Sequence, residues 1–340
     1  GGGGAWAIVL QQVATSVVYL GLLWVASDWR PRFLFSRSSA GRLVRFSAQL
    51  TGANFLSYLQ KNIDNLLIGR FLGAAPLGVY SLSYNLMLYP VTRVAEPIYQ
   101  ALFPVLSRIQ DDDERVGRIW LRVVRMAAAV VIPAMVGLVI FAPQFVRVVL
   151  GAKWDDAVPV IQLLAWSGIV YALNTVTLSV VLSRGLTGQI FRYTLISAVV
   201  LVSGLVVGLQ FGLEGVALAI STAVAIMWPL YVRIAARTLE MPRVAYWRNL
   251  AGVAAATAAM AGAALPLRLL LESWGLPAAA ILAIGVPVAA VVYLGACLLV
   301  APGLRGDVGE LVSAARRKRR PAPAGPLPGE DPRPEQVPAR

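Results

Sequence analysis

The sequence predicts an all-α polytopic membrane protein of about nine transmembrane helices. Three observations carry that prediction. Of the 340 residues, 58% are hydrophobic and 14% are charged, where a soluble domain carries about 25% charge. Apolar runs of spanning length recur, separated by loops of about 20 residues or fewer. Lys and Arg concentrate in alternate loops, as the asymmetry of membrane insertion requires.

The predicted spans are residues 6–26, 46–73, 77–105, 120–142, 158–183, 192–211, 213–236, 248–271 and 277–301. The loops on one side hold Arg30, Arg32, Arg37, Arg42 and Arg45, then Arg108, Arg115, Arg118, Arg122 and Arg125. The same side continues with Arg184 and Arg192, and with Arg233, Arg237, Arg243 and Arg248. The other side holds Arg70, Arg147, Lys153 and Arg268, so the ratio is sixteen to four. The rich side is predicted to be cytoplasmic, which puts the C-terminus inside. Trp6, Trp24, Trp29, Trp120, Trp154, Trp247 and Trp274 fall near span ends, where indole rings favour the interface.

Composition also removes whole classes of chemistry. There is no histidine, which excludes imidazole relays, His metal ligands and Ser/His or Cys/His catalysis. The single cysteine, Cys297, excludes an intrachain disulfide and a thiolate metal site. No cofactor or metal is expected. The net charge of +13 is distributed by the membrane and gives no reason to expect nucleic acid. The chain starts Gly1-Gly2-Gly3-Gly4, with no Met and no basic region before its first apolar run, which does not read as a signal peptide. The expectation is a fragment of a longer protein, truncated at its N-terminus.

Two spans carry more polar groups than lipid tolerates. Span 46–73 would be about 42 Å long as a helix. It holds Asn54, Gln60, Lys61, Asn62, Asp64 and Asn65. A charge at the bilayer centre costs roughly 2.5–3.5 kcal/mol on insertion scales, so such groups must face protein or water. At about 100° per residue, Thr51, Asn54, Tyr58, Lys61 and Asn65 share an arc of about 80°. In the next span Asn85, Tyr89, Arg93, Glu96 and Gln100 do the same within about 80°. A shorter stripe is Ser167, Tyr171 and Asn174.

Two antiparallel spans, joined by Ala74-Ala75-Pro76, thus each present a polar stripe containing a cation. The simplest arrangement is a shared hydrated cavity lined by Asn54, Tyr58, Lys61, Asn65, Asn85, Tyr89, Arg93, Gln100 and Asn174. Fixed Lys and Arg suit an anionic substrate, above all a phosphate. Asp64 and Glu96 are the candidates for ion coupling. The plainer alternative is mutual neutralisation, Lys61 with Asp64 and Arg93 with Glu96, both at i,i+3. Against it, each stripe runs further than pairing needs, and Asp64 lies about 60° off the Lys61 stripe, which calls for a different neighbour. Pro90, Pro97 and Pro104, seven residues apart, predict a broken helix lining the cavity.

The charged segment Ser107–Trp120 is expected to form a solvated turn or surface helix without chemistry. After Val300, Arg316, Arg317, Lys318, Arg319 and Arg320 form a basic cluster that predicts contact with anionic lipids. The Pro-rich tail from Pro321 is expected to be disordered.

The phrases NIDNLLIGRFLG at 62–73, GVYSLSY at 78–84, FPVLSR at 103–108 and LGAKWDDAVP at 150–159 together resemble the polysaccharide flippases of the MOP exporter superfamily, the Wzx-type lipopolysaccharide and O-antigen transporters. The resemblance covers about 46–240. It implies a MATE-like transporter of two six-helix lobes, often with two more C-terminal helices. Residues 1–30 would then hold the last helix of the first lobe and 31–45 a basic cytoplasmic inter-lobe loop. Residues 46–240 would form the second lobe, 241–301 two additional helices, and 302–340 the cytoplasmic tail. It further implies a non-enzymatic flippase of the bacterial cytoplasmic membrane, acting in surface polysaccharide biosynthesis. That flippase would move undecaprenyl-diphosphate-linked oligosaccharide by alternating access through a cationic cavity, with Lys61 and Arg93 as matching cations. Partners would be the lipid-linked oligosaccharide, membrane lipids and polysaccharide-assembly proteins.

Three other functions are weighed against it. A multidrug or small-molecule exporter of the same superfamily fits a cationic cavity poorly if the drug is a cation. An integral-membrane polymerase or glycosyltransferase needs an extramembrane loop larger than any present. A non-transporting scaffold is the third.

Overall fold

The structure is a computed structural model that describes residues 4–27, 58, 62–301, 303–304 and 306–307. The predicted polar residues Thr51, Asn54 and Lys61, the loop 31–45 and the basic cluster at Arg316–Arg320 lie outside the described residues. The chain divides into two units, Gly1–Lys61 and Asn62–Arg340.

In the first unit, α1 (Gly4–Ala26) is 23 residues of almost wholly apolar helix. Its length, about 35 Å, exceeds the hydrocarbon thickness of a bilayer. Its hydroxyls are satisfied internally: Thr15 donates to the Gln11 carbonyl at 2.8 Å and Ser16 to that of Gln12 at 2.9 Å. Tyr58 is an exposed helical residue of this unit.

The second unit is all helix among its described residues. A helical stretch at 62–71 (α2) leads to Gly73, whose φ of 97° makes the turn into α3 (Ala74–Pro90). A π-helical turn, Val91–Ala95, joins α3 to α4 (Glu96–Arg108). Then come α5 (Asp113–Phe145), α6 (Ala157–Ser183), α7 (Thr187–Gly208), α8 (Gly212–Thr238), α9 (Arg243–Ser273) and α10 (Ala278–Val300). Six described stretches are long and apolar enough to cross a membrane, and the one at Gly188–Thr238 contains both α7 and α8. The α3–α4 segment is not among them, because its polar stripe and π turn interrupt the apolar run. It coincides with the third predicted span nonetheless, so eight of the nine expected spans fall on described helices. The ninth, 46–73, is described only in its last part.

The unit is built around α6, which packs against α3, α4, α5 and α8 and has buried residues along its whole length. In lipid, apolar contact alone gives helices little reason to associate, so close packing and small residues must hold them. Gly168 of α6 shows why: a Cβ there would lie 2.8 Å from the Met87 carbonyl oxygen of α3. The α7–α8 hairpin closes in the same way, with Gly208 and Gly215 meeting backbone to backbone. The α9–α10 pair attaches to α5, with Phe141 filling the notch left at Gly285.

Polar groups stitch the helix ends. Asp112 caps α5 by accepting from the Arg115 amide at 2.9 Å. Thus α5 begins within the predicted surface segment, and its 33 residues extend well past the predicted span at 120–142. Trp120 is not an interface residue. It is 1% exposed, and its indole N–H donates to Thr177 at 3.3 Å. Its ring packs on Tyr246, which packs on Trp228. Asp307, 4% exposed, accepts from Arg125 at 2.6 Å and pairs with Arg122 at 3.1 Å. Arg125 also donates to Asn249 of α9, and Asn249 donates to the Leu121 carbonyl. At the other end Arg268 holds Glu272 at 3.0 Å and the Ile140 carbonyl at 2.6 Å.

Candidate functional site

The second half of α3, the π turn and α4 form one continuous segment with two unlike sides. Met87, Pro90, Val91, Ala95, Leu102 and Leu106 are buried, and this side meets α6. The opposite side exposes Asn85, Tyr89, Arg93, Glu96 and Gln100, all five residues of the predicted stripe. Pro90 has no amide hydrogen to give to the helix before it, and the backbone relaxes into a π turn directly after it. The expected break is therefore present as one π turn, with Arg93 inside it. Thr92 returns its hydroxyl to the helix, donating to the carbonyls of Leu88 and Tyr89 at 3.3 and 3.2 Å.

Arg93 and Glu96 do not neutralise each other: among the described residues no ion pair joins them. The Arg93 guanidinium carbon instead lies 5.5 Å from the centroid of the Tyr89 ring. That contact orients the cation, and among the described residues no hydrogen bond or ion pair engages its five N–H donors. A guanidinium held on an aromatic face and open on its edge matches a phosphate or diphosphate oxygen pair.

Asp64 is placed differently. It is 7% exposed and lies between α2 and α3, where Oδ2 accepts from the Tyr80 hydroxyl and Oδ1 from the Asn65 amide at 2.8 Å. Tyr84 and Tyr171 pack into the same cluster as Tyr80. The neighbour that the helical phase called for is thus Tyr80. Two amide oxygens, Oδ1 of Asn65 and Oδ1 of Asn174, are buried and have no hydrogen-bond partner among the described residues.

The third stripe does not face one open wall. Ser167 is buried in the α6–α8 seam, 3.0 Å from the Ser221 hydroxyl, which also lies 2.6 Å from the Leu163 carbonyl that it donates to. Asn174 is half-buried. A helical stripe of small hydroxyls gives the same pattern whether it faces water or a second helix, and here Ser167 meets the second helix. The described Cys, Asp and Glu residues form no group of three or more able to hold a metal ion. Sequence reasoning missed the Asp307 network and a cleft of arginines between α7 and α8. The signal for the cleft was present in Arg233 and Arg237 at i,i+4.

Residues 1–159 match a protein-family model described as polysaccharide biosynthesis protein. The chain is 30% identical over 191 residues to the lipopolysaccharide biosynthesis protein WzxC of Escherichia coli, covering 56% of this chain and 39% of that one. It is 29% identical over 289 residues to the teichuronic acid biosynthesis protein TuaB of Bacillus subtilis, covering 84% of this chain and 59% of that one. The chain therefore spans about half the length of these relatives. Among solved structures, the lipid II flippase MurJ in an inward closed conformation superposes with a TM-score of 0.64 at 15% identity, over 80% of this chain and 57% of that one. That likeness establishes a shared all-α membrane fold.

Proposed function

We propose that this chain is part of a polysaccharide flippase of the MOP exporter superfamily and forms one wall of a cavity through which lipid-linked oligosaccharide crosses the bacterial cytoplasmic membrane. The observation that carries this reading is Arg93, exposed in the π turn and without an ion-pair partner among the described residues. A cation left open in such a place is costly unless it has an anion to receive. The diphosphate of an undecaprenyl-linked sugar is such an anion, and Asn85, Tyr89 and Gln100 supply neutral donors and acceptors beside it. Asn65 and Asn174 are proposed to belong to the same lining, and Asn54, Tyr58 and Lys61 are proposed as substrate-binding residues from the helical period of the sequence alone.

In this reading residues 46–240 act as the second lobe and 241–301 as two added helices. The sixteen-to-four arginine and lysine asymmetry supports a cytoplasmic C-terminus. Asp64 and Glu96 are the proposed coupling carboxylates: Asp64 is held inside the lobe by Tyr80, whereas Glu96 stands on the exposed wall. The relatives carry names of polysaccharide biosynthesis and the solved structure of like fold is named a lipid II flippase, which supports translocation as this chain's part in that process.

The test is export of surface polysaccharide, and flipping of lipid-linked oligosaccharide in proteoliposomes, by the intact protein carrying Arg93→Ala. Loss of at least tenfold is expected, with partial recovery in Arg93→Lys and unchanged membrane insertion. Export at the unsubstituted rate in Arg93→Ala overturns the assignment.

A further inference from the structure

At the arginine-rich end of the second unit, α7 and α8 diverge around a cleft of about 620 Å³. Arg192 and Gln189 of α7 line it on one side, and Arg233 and Arg237 of α8 on the other. No carboxylate lines it. Among the described residues none of these three arginines has an ion-pair partner, whereas Arg118, Arg122, Arg125 and Arg184 at the same end are all paired with carboxylates. The rings of Tyr193 and Tyr231 meet across the two helices with centroids 4.6 Å apart.

Cleft and membrane are continuous. One helical turn beyond Ile196 and Leu230, which edge the basic cleft, stand Val200 and Ile226. They line a second, mostly apolar cavity of about 870 Å³ along the same two helices, which runs past Val207 and Leu218 and ends at Phe211 and Glu214. From Arg233 to Leu218 is fifteen residues, or about 22 Å along a helix. That is close to one extended acyl chain and spans most of one hydrocarbon core of about 30 Å. The close Gly208–Gly215 contact shuts the far end of the hairpin.

We propose that the α7–α8 seam is a binding site for an anionic glycerophospholipid. Arg192, Arg233 and Arg237 hold its phosphodiester head, and the apolar cavity takes an acyl chain. Guanidinium groups clustered between helices at the basic end are suited to anionic head groups. A polyprenyl diphosphate shares the phosphate chemistry, but its chain is far longer than the groove. The site uses no residue of α3 or α4 and does not depend on what the protein transports.

The test uses the intact protein in nanodiscs of phosphatidylcholine and phosphatidylglycerol, with retained lipid read by mass spectrometry after extraction into detergent. Wild type is expected to retain phosphatidylglycerol over phosphatidylcholine. The triple variant Arg192→Gln/Arg233→Gln/Arg237→Gln is expected to lose that enrichment by roughly tenfold or more. The charge-matched variant Arg115→Gln/Arg243→Gln/Arg248→Gln is expected to keep it. Ile226→Trp, which fills the groove and leaves every charge in place, is expected to weaken retention as well. Equal losses in the two triple variants would mean diffuse charge only and overturn the site. Displacement of phosphatidylglycerol from the cleft by undecaprenyl diphosphate, but not by added anionic phospholipid, would overturn the choice of ligand.

Discussion

The Tyr80 hydroxyl donates to Oδ2 of Asp64, and this contact ties α3 to α2 at a carboxylate that is 7% exposed. Among the described residues the carboxylate has one other hydrogen-bond donor, the Asn65 amide. Tyr80→Phe removes one of the two and leaves the acceptor buried, a loss of about 1–3 kcal/mol. The expected result is a lower melting temperature of the detergent-solubilised intact protein, followed by tryptophan fluorescence. Asp64→Asn removes the charge and can keep both contacts, its amide oxygen accepting from the Asn65 amide and its NH2 donating to the Tyr80 oxygen. It is expected to leave melting nearly unchanged while export loses its dependence on the ion gradient. Gradient-dependent export in Asp64→Asn would remove Asp64 from the coupling role.

Gly168→Ala tests the crossing of α6 over α3. The added Cβ would approach the Met87 carbonyl oxygen to 2.8 Å and the Met135 sulfur to 3.3 Å. Backbone cannot swing aside as a side chain can, so overpacking of about 1–3 kcal/mol is expected. Gly137→Ala in α5, where nothing lies within 4 Å of the new Cβ, is the control and should cost nothing measurable. Equal melting temperatures for the two variants would contradict the crossing.

The Asp307 network makes a third case. Replacing Asp307 with Ala removes the carboxylate that Arg125 and Arg122 share, but their side chains are 23% and 50% exposed and water can reach them. The cost should therefore resemble lost charged hydrogen bonds, about 1.5–3 kcal/mol, rather than the larger penalty of a sealed ion. Limited proteolysis of the intact protein should then cut the chain after α10 faster than in wild type, with the rest of the bundle protected.

The sequence read the fold well where one helix carries its own evidence. Asn85, Tyr89, Arg93, Glu96 and Gln100 share a face by the 3.6-residue period alone, and all five are exposed. Pro90 announced the break that became the π turn. The period names a face and not what the face meets: Ser167 shares a stripe with Tyr171 and Asn174, yet it lies against Ser221, 54 residues later. Asp307 and Arg125 are 182 positions apart, and no local pattern links them. Trp120 was assigned to the interface from its place at a span end, but α5 begins at Asp113, so Trp120 falls inside the packed bundle. The arginine cleft was counted as topology because its two sides lie on different helices.

The central position of α6 has a mechanical consequence. A rod wedged among four neighbours, with its glycine notch seated on the Met87 carbonyl and its serine bonded across to α8, has no direction in which it can slide alone. Stiffness is thereby concentrated in the middle of the bundle and compliance at its margin. The π turn at Val91–Ala95 lies between the two, resting on α6 through Val91 and Ala95 and exposed at Arg93. A backbone already one step out of α-helical register can trade one hydrogen-bond partner for the next with little penalty. Bending strain applied to the bundle should collect at that turn, which is also where Arg93 is carried.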